Sequence, residues 1–265
     1  MVAVLVLSLV KTASPLLQFK KHLSDSLTFE QRKELKKFLN FRFRGLQDSL
    51  YRFFVGSDLK ALADIYGTDK WGSHFYAQHY ETHFAPLRRK NLNILEIGIG
   101  GYSNPEEGGE SLRMWRTYFP NARIFGIDIH DKSGHDERRI KTFKGSQVDE
   151  DFLKHVIKEI DPIDIVIDDG SHVNEHVIHT FKFLFPRIQC QWYVIEDTQT
   201  SYWPGEYGGM SDDLNNLGTS MGFLKHLIDG LNYVEYKIDG YEPTYFDQHI
   251  VAMHFYHNIV FIEKE

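Results

Sequence analysis

The sequence contains a single cysteine, Cys190, in 265 residues. One cysteine excludes a disulfide within the chain and suits a reducing compartment, so we expect a cytoplasmic protein. Because Cys190 stands at the start of an apolar run, we interpret it as a buried thiol rather than as a nucleophile.

The chain also lacks a surplus of positive charge and a long apolar segment. Its formal net charge of −7 gives no electrostatic basis for binding nucleic acid or an anionic membrane. The apolar stretch at residues 2–10 is shorter than the roughly 20 residues of a membrane-spanning helix, and no basic residues precede it as they do in a signal peptide. We therefore expect neither nucleic acid nor membrane as a partner, and we interpret residues 2–10 as a strand or packing segment.

The first part of the chain has helical patterns. Thr28 and Gln31 form a capping box ahead of apolar residues at helical spacing. Ser57 could cap a second, short helix that Gly67 would end. An apolar helical face must bury against something, so we expect these helices to act as a lid or in oligomerisation.

From residue 91 onward, short β-rich runs alternate with helix-length segments, which is typical of βαβ units and a parallel sheet. The pattern predicts strands at 92–97, 123–129, 140–144, 163–168 and 192–196, and helices at 109–118, 149–159, 173–185 and 217–227. Segments 233–238 and 249–263 follow, and they predict a final strand that pairs back on its predecessor. We expect a helical N-terminal segment over residues 1–63 and one α/β domain over residues 64–265.

A glycine-rich loop follows the first predicted strand. It runs Glu96-Ile97-Gly98-Ile99-Gly100-Gly101-Tyr102, and its glycines allow the backbone to approach a ligand closely. A carboxylate at the strand end, that of Glu96, would face the ammonium group of S-adenosylmethionine but would repel a dinucleotide pyrophosphate. The third glycine of the dinucleotide pattern is also missing, so S-adenosylmethionine is favoured over NAD.

Two further positions fit the same cofactor, and each has a structural alternative. Asp128 ends the second strand, where it could accept hydrogen bonds from ribose hydroxyls or cap a helix. Ser146 and Gln147 follow the third strand, where they could bind an adenine edge or cap the helix that begins near Asp149. The glycines themselves could form a plain tight turn.

Acidic pairs end two neighbouring strands: Asp168-Asp169 the fourth and Glu196-Asp197 the fifth. Both ends open on the carboxyl edge of a parallel sheet, so the carboxylates would repel one another unless a hard cation such as Mg²⁺ neutralised them. His172 follows closely and has the pKa range of a general base for a metal-polarised hydroxyl. The alternative, that these residues are helix N-caps, does not explain two acids at each of two strands.

With these residues together, the chain resembles the metal-dependent macrolide and anthracycline sugar O-methyltransferases. Four blocks between residue 64 and the C-terminus carry the resemblance: Tyr66-Gly67-Thr68-Asp69-Lys70, the loop from Glu96 to Tyr102 with Gly108-Gly109-Glu110-Ser111-Leu112, Asp168-Asp169-Gly170-Ser171-His172, and Ile195-Glu196-Asp197-Thr198-Gln199-Thr200-Ser201-Tyr202-Trp203-Pro204. The last two blocks are the most specific, since each joins an acidic strand end to an unusual loop.

The resemblance implies a class I S-adenosylmethionine-dependent methyltransferase fold, Rossmann-like with a reversed last strand. It implies that Asp169, Glu196 and Asp197 hold Mg²⁺ and that His172 is the general base. The implied cofactor contacts are Glu96, Ile97, Gly98, Ile99, Gly100, Gly101, Tyr102, Ser111, Asp128, Ser146, Gln147 and Asp168. Gln199, Tyr202 and Trp203 would border the acceptor, although the two rings could instead pack in the core.

The expected function is therefore methylation of a sugar hydroxyl on a small glycosylated natural product by a homo-oligomer, a dimer or a tetramer. A catechol-type methyltransferase with the same cofactor and metal is one alternative. A non-catalytic binding module that retained the fold is another, although the intact acidic pairs weigh against it.

Overall fold

The computed structural model describes residues 48–265. The pattern of contacts between residues divides the chain into two compact units, with the boundary between Phe53 and Phe54. The unit Phe54–Glu265 is described below. The expectations for residues 2–10 and for the helix after Thr28 lie outside the described residues. The domain boundary expected at residue 64 lies inside the first helix of this unit. No helix in the described part of the chain is both long and apolar enough to cross a membrane.

A seven-stranded sheet runs through the unit in the order β3-β2-β1-β4-β5-β7-β6. Its strands are β1 (Asn93–Ile97), β2 (Arg123–Asp128), β3 (Ile140–Lys144), β4 (Ile165–Asp168), β5 (Trp192–Ile195), β6 (Ile250–Tyr256) and β7 (Ile259–Lys264). β1 to β5 are parallel, whereas β7 is antiparallel to both β5 and β6. The predicted α/β fold with a reversed last strand is confirmed.

Helices pack beside the sheet. They are α1 (Leu59–Tyr66), α2 (Ala77–Phe84), α3 (Glu110–Tyr118), α4 (Glu150–Ile160), α5 (Asn174–Leu184), α6 (Ser220–Leu227) and α7 (Tyr245–His249). In α4, Leu153, Val156 and Ile160 are fully buried at helical spacing, and each such side chain contributes about 1.5–3 kcal/mol. This apolar face explains why α4 lies against the sheet.

The short helix α1 begins one residue later than expected. Asp58, not Ser57, is its N-cap, because the Asp58 carboxylate accepts a hydrogen bond from Ala61 N at 3.0 Å. Gly67 ends the helix in the left-handed conformation, as predicted. Helix α2 was not predicted; it supplies tyrosines to the site described below.

The C-terminal hairpin occupies a shorter stretch of the chain than the predicted segments 233–238 and 249–263. Segment 233–238 is not a strand: a 3₁₀ helix occupies Asp229–Glu235, and Val234 and Ile238 are more than half exposed. The two antiparallel strands β6 and β7 both lie between residues 250 and 264, joined through Asn258 with a φ of 63°. A left-handed residue allows a reversal this tight, so the predicted final strand is two strands.

Cys190 is buried immediately before β5, 3% exposed. Burial raises the pKa of its thiol to about 12, so the thiolate is not formed near neutral pH. The prediction of a buried cysteine is confirmed, and its lack of reactivity stays a prediction.

Candidate active site

A cleft of about 590 Å³ opens at the carboxyl ends of β1, β2 and β4. The strand order reverses between β1 and β4, and in open α/β sheets ligands bind at such a switch point. The residues lining the cleft include Ile97, Gly98, Gly100, Gly101, Tyr102, Asp128, Ser146, Gln147, Asp169, His172, Asp197 and Tyr207. The volume falls in the range of small-molecule and cofactor sites.

Neighbouring backbone atoms leave no room for a side chain at two of the glycines after β1. Gly98 has a φ of +87°, and a Cβ there would lie 2.0 Å from the carbonyl oxygen of Asp169. At Gly101, with a φ of +72°, a Cβ would lie 2.3 Å from the backbone of Glu107. The loop therefore presses against the strand-end segment that carries the acids, a closer fit than a plain tight turn needs.

Asp128 holds this loop in place. Its Oδ2 accepts a hydrogen bond from Ile99 N at 3.1 Å, and its Oδ1 accepts one from His130 N at 2.8 Å. Asp128 ends β2 and does not cap a helix, so that alternative is wrong. It lines the cleft, and a contact with ribose stays a prediction.

Ser146 and Gln147 also line the cleft. They do not cap α4, because the N-cap is Asp149, whose side chain accepts hydrogen bonds from the amides of residues 151 and 152. Gln147 instead joins two strand-end segments: its Nε2 donates to Asp168 Oδ1 at 3.3 Å, and its Oε1 accepts from Ser171 N at 2.9 Å.

Asp168 is buried at the end of β4. Burial raises the pKa of its carboxyl to about 7. Its carboxyl accepts hydrogen bonds from Gln147 and from the backbone of Gly170, and it is not among the residues that line the cleft. Its contact with the cofactor stays a prediction.

Glu96 does not line the open cleft. It is fully buried, and its carboxylate accepts hydrogen bonds from Ser111 Oγ at 2.8 Å and from Trp115 Nε1 at 3.3 Å. The Nζ of Lys70 lies 3.5 Å from it. Burial is the main cause that raises the pKa of Glu96 to about 7. Glu96, Ile99 and Ser111 are not among the residues that line the cleft, and their contact with a cofactor stays a prediction.

Three side chains converge on one point at the cleft floor. Asp169, His172 and Asp197 each offer a ligand atom, and these atoms lie within 4.8 Å of one another. His172 Nε2 is 3.4 Å from Asp197 Oδ2. Two carboxylates and an imidazole form a donor set that suits a divalent cation.

The backbone at this point is strained. His172 has a φ of 57° and Asp197 a φ of 51°, values that are uncommon for residues other than glycine. Such strain persists only where surrounding structure enforces it, and it clusters at functional sites. Here it accompanies a close approach of the two side chains, whose nearest ligand atoms lie 3.4 Å apart.

Glu196 lies apart from this group. It is 3% exposed, and it accepts hydrogen bonds from Lys70 Nζ at 2.7 Å and from the hydroxyl of Tyr80. The predicted metal set of Asp169, Glu196 and Asp197 is thus brought together in part: Asp169 and Asp197 converge with His172, while Glu196 lies outside that group and shares the ammonium group of Lys70 with Asp169.

Three residues of this site were not assigned a role from the sequence: Lys70, Tyr76 and Tyr80. Tyr76 donates a hydrogen bond to Asp197 Oδ1 at 2.6 Å. Burial alone would raise the pKa of Asp197, but this hydrogen bond and the nearby His172 hold it below the ordinary value. Tyr76 and Tyr80 are four residues apart, which places both hydroxyls on one side of α2, and that spacing is the signal that could have identified them.

The loop after β5 lies partly outside the cleft. Gln199 donates from Nε2 to Asp197 Oδ1 at 3.1 Å. Tyr202 and Trp203 are 38% and 48% exposed, so their core-packing alternative is wrong. Tyr207, whose ring centre lies 5.8 Å from that of Trp203, lines the cleft in their place.

Comparison with characterised proteins finds relatives over most of the chain. It is 48% identical over 78% of its length to the mycinamicin VI 2''-O-methyltransferase of Micromonospora griseorubida, covering 52% of that protein. It is 49% identical over 78% of its length to the demethylmacrocin O-methyltransferase of Streptomyces fradiae, covering 53%. The 8-demethyl-8-alpha-L-rhamnosyl tetracenomycin-C 2'-O-methyltransferase of Streptomyces olivaceus is 46% identical over 79% of the chain, which covers 56% of it.

Solved structures agree. The MycE methyltransferase of the mycinamycin biosynthetic pathway, in complex with Mg and SAH, matches with a TM-score of 0.75 and 48% identity, over 78% of this chain and 53% of that one. Its complex with Mg, SAH and mycinamycin VI matches with a TM-score of 0.71 and 47% identity, over 78% and 54%. No protein-family model matches the chain. The chain spans about half the length of the curated relatives it matches.

The sheet order, the reversed last strand and the strand-end site define the fold of a class I S-adenosylmethionine-dependent methyltransferase. Over 78% of its length, the chain is a homologue of the sugar O-methyltransferases of macrolide and tetracenomycin pathways, and the resemblance expected from the sequence is confirmed.

Proposed function

We propose that this protein transfers a methyl group from S-adenosylmethionine to a sugar hydroxyl of a glycosylated natural product, with the help of a divalent cation. One observation carries the proposal: Asp169, His172 and Asp197 bring their ligand atoms within 4.8 Å of one another on the floor of a cleft. The glycine loop after β1 forms the adjoining wall. The homologues named as sugar O-methyltransferases support the choice of acceptor class.

Asp169 and Asp197 would hold the cation, since both carboxylates line the cleft. When bound, the cation would polarise the acceptor hydroxyl and S-adenosylmethionine would supply an electrophilic methyl group. His172 would accept the hydroxyl proton at Nε2, and the carboxylate of Asp197, whose Oδ2 lies 3.4 Å from that nitrogen, would stabilise the ring once it is protonated. Tyr76 and Gln199 fix Asp197 from the other side.

The cofactor would occupy the wall formed by Gly98, Gly100 and Gly101, with its ribose toward Asp128 and its adenine toward Gln147. Positioning supplies most of the acceleration, because a sulfonium methyl group is already reactive and needs chiefly to be aligned with the acceptor oxygen. We expect the enzyme to act in the cytoplasm as a homo-oligomer, a dimer or a tetramer.

The test is methyl transfer from labelled S-adenosylmethionine to rhamnosylated or macrolide glycosides and to simple catechols, with Mg²⁺ and with a chelator. We expect transfer to glycosides that the chelator abolishes. Transfer to catechols alone would overturn the acceptor class. Cofactor binding without any transfer would favour a non-catalytic module.

His172→Ala tests the proton acceptor. We expect turnover to fall by about 10²–10⁴-fold, the usual contribution of a general base, with S-adenosylhomocysteine binding unchanged in calorimetry. His155→Ala is the matched control, since His155 lies on α4 and packs against Phe143 away from the cleft. Wild-type turnover in His172→Ala would remove His172 from the proposed role.

A further inference from the structure

Lys70 is a buried cation among the strand-end acids. Its side chain is 1% exposed, and its Nζ lies 2.7 Å from Glu196 Oε1, 2.9 Å from Asp169 Oδ2 and 3.5 Å from Glu96 Oε1. The three carboxylates lie at the ends of three different strands: Glu96 within β1, Asp169 just after β4 and Glu196 just after β5. One ammonium group therefore joins three neighbouring strands at the edge where the cleft opens.

The backbone of Lys70 is also fixed. Its carbonyl oxygen accepts hydrogen bonds from Tyr76 N at 3.1 Å and from Ala77 N at 3.0 Å, at the start of α2. Its amide donates to Thr68 Oγ1 at 3.3 Å. These hydrogen bonds fix the backbone from which the side chain of Lys70 extends to the acids.

Charge explains the arrangement. The Nζ of Lys70 lies within 3.5 Å of an oxygen of each of the three carboxylates, so its positive charge offsets their negative charge in a place that is almost closed to water. Without the ammonium group these carboxylates would face one another unneutralised, and a largely desolvated charge that has lost its partner destabilises the fold. Lys70 contacts oxygens of Asp169 and Glu196, two of the three residues expected to hold a cation.

We propose that Lys70 is a positioning residue that acts as the resident counter-ion of the strand-end acids, holding Asp169 and Glu196 in place before a divalent cation binds and competing with that cation for their oxygens. The inference rests on one part of the proposed function, the binding of a divalent cation by these acids. It assigns to Lys70 the role of weakening cation affinity while keeping the empty site ordered.

Lys70→Met removes the charge and retains most of the side-chain volume. We expect the metal-free variant to melt at a lower temperature than the wild type, because the buried acids lose their partner. We expect it to bind Mg²⁺ at least tenfold more tightly, because no ammonium group competes. Mg²⁺ should accordingly raise its melting temperature more than it raises that of the wild type.

Lys132→Met is the matched control. Lys132 is equally buried, 1% exposed, but its Nζ donates to the backbone carbonyls of Asn104 and Glu107 at 2.8 and 3.0 Å rather than to carboxylates. Its loss should destabilise the fold without changing Mg²⁺ affinity. Lys70→Arg keeps the charge and should bind Mg²⁺ as the wild type does.

The experiment is calorimetric titration of each variant with MgCl₂ at pH 8, together with thermal melts with and without Mg²⁺. Tighter binding in Lys70→Met than in the wild type supports the inference. Equal or weaker binding overturns it and leaves Lys70 as a structural lysine, while the proposed function stands. If Lys70→Met does not fold even with Mg²⁺ present, Lys70→Gln is measured in the same way.

The two proposals can fail separately. If the wild type binds no Mg²⁺ but Lys70→Met does, the proposed metal-dependent reaction is contradicted and the competition by Lys70 is supported. If neither binds Mg²⁺, both are overturned.

Discussion

Glu96→Gln tests whether a buried acid is retained at a cost to stability. The substitution keeps the shape of the side chain and removes a charge that is fully buried between Ser111, Trp115 and Lys70. Burial raises the pKa of Glu96 from 4.5 to about 7 despite the nearby lysine. The folded protein therefore holds the proton more tightly than the unfolded chain does.

The sign and the size of the effect follow from that shift. An acid whose folded-state pKa is raised contributes stability that is complete below pH 4.5 and is lost as the pH rises through about 7. A shift from 4.5 to about 7 corresponds to about 3 kcal/mol at 1.36 kcal/mol per unit. The free energy of unfolding of the wild type should thus fall by up to about 3 kcal/mol over this range relative to Glu96→Gln.

The assay is urea unfolding of the wild type and Glu96→Gln, monitored by tryptophan fluorescence at intervals from pH 4.5 to 8. Glu159→Gln is the control, because its half-exposed pair with Lys141 should be worth less than about 1 kcal/mol. At pH 8 we expect Glu96→Gln to be at least as stable as the wild type and to lose affinity for S-adenosylhomocysteine. Parallel pH profiles for the two proteins would refute the reasoning.

Two further substitutions test the geometry of the cleft. Tyr76→Phe removes the donor at 2.6 Å from Asp197 and should lower the free energy of unfolding by about 1.5–3 kcal/mol, the range for hydrogen bonds to charged groups; a loss below the error of urea unfolding would contradict the importance of that contact. Gly98→Ala should cost more than about 3 kcal/mol, because its Cβ would meet the Asp169 carbonyl at 2.0 Å. Gly67→Ala is the control, because Gly67 has a similar φ of +77° but nothing within 4 Å of the added Cβ, and it should cost only about 1–2 kcal/mol. Equal losses in the two variants would show that the backbone of Asp169 can move away from residue 98.

The sequence predicts well what depends on neighbouring residues along the chain. Apolar runs ending in Asp168-Asp169 and Glu196-Asp197 predict both the strands and the edge on which their acids meet, because parallel strands share that edge. The same runs predict the order of helices and strands from β1 to β5. The sequence also predicts the reversed last strand. The strand predicted at 233–238 is wrong, because the apolar residues Val234 and Ile238 remain exposed.

The rest depends on contacts between distant parts of the chain. Lys70 reaches Glu196 across 126 positions, and Tyr76 reaches Asp197 across 121. Local pattern carries no information about such pairs, since α1 and α2 could pack against many surfaces. That Lys70 binds both Asp169 and Glu196, while Tyr76 binds Asp197, could therefore not be predicted from the adjacent acids.

The most direct test of the central claim is diffraction from crystals soaked with Mn²⁺ and S-adenosylhomocysteine. We expect an anomalous peak within bonding distance of the carboxylates of Asp169 and Asp197, next to the sulfur of the cofactor product beside the loop at Gly98. A peak elsewhere, or a cofactor product bound away from that loop, would contradict the assignment of this cleft as the methyl-transfer site.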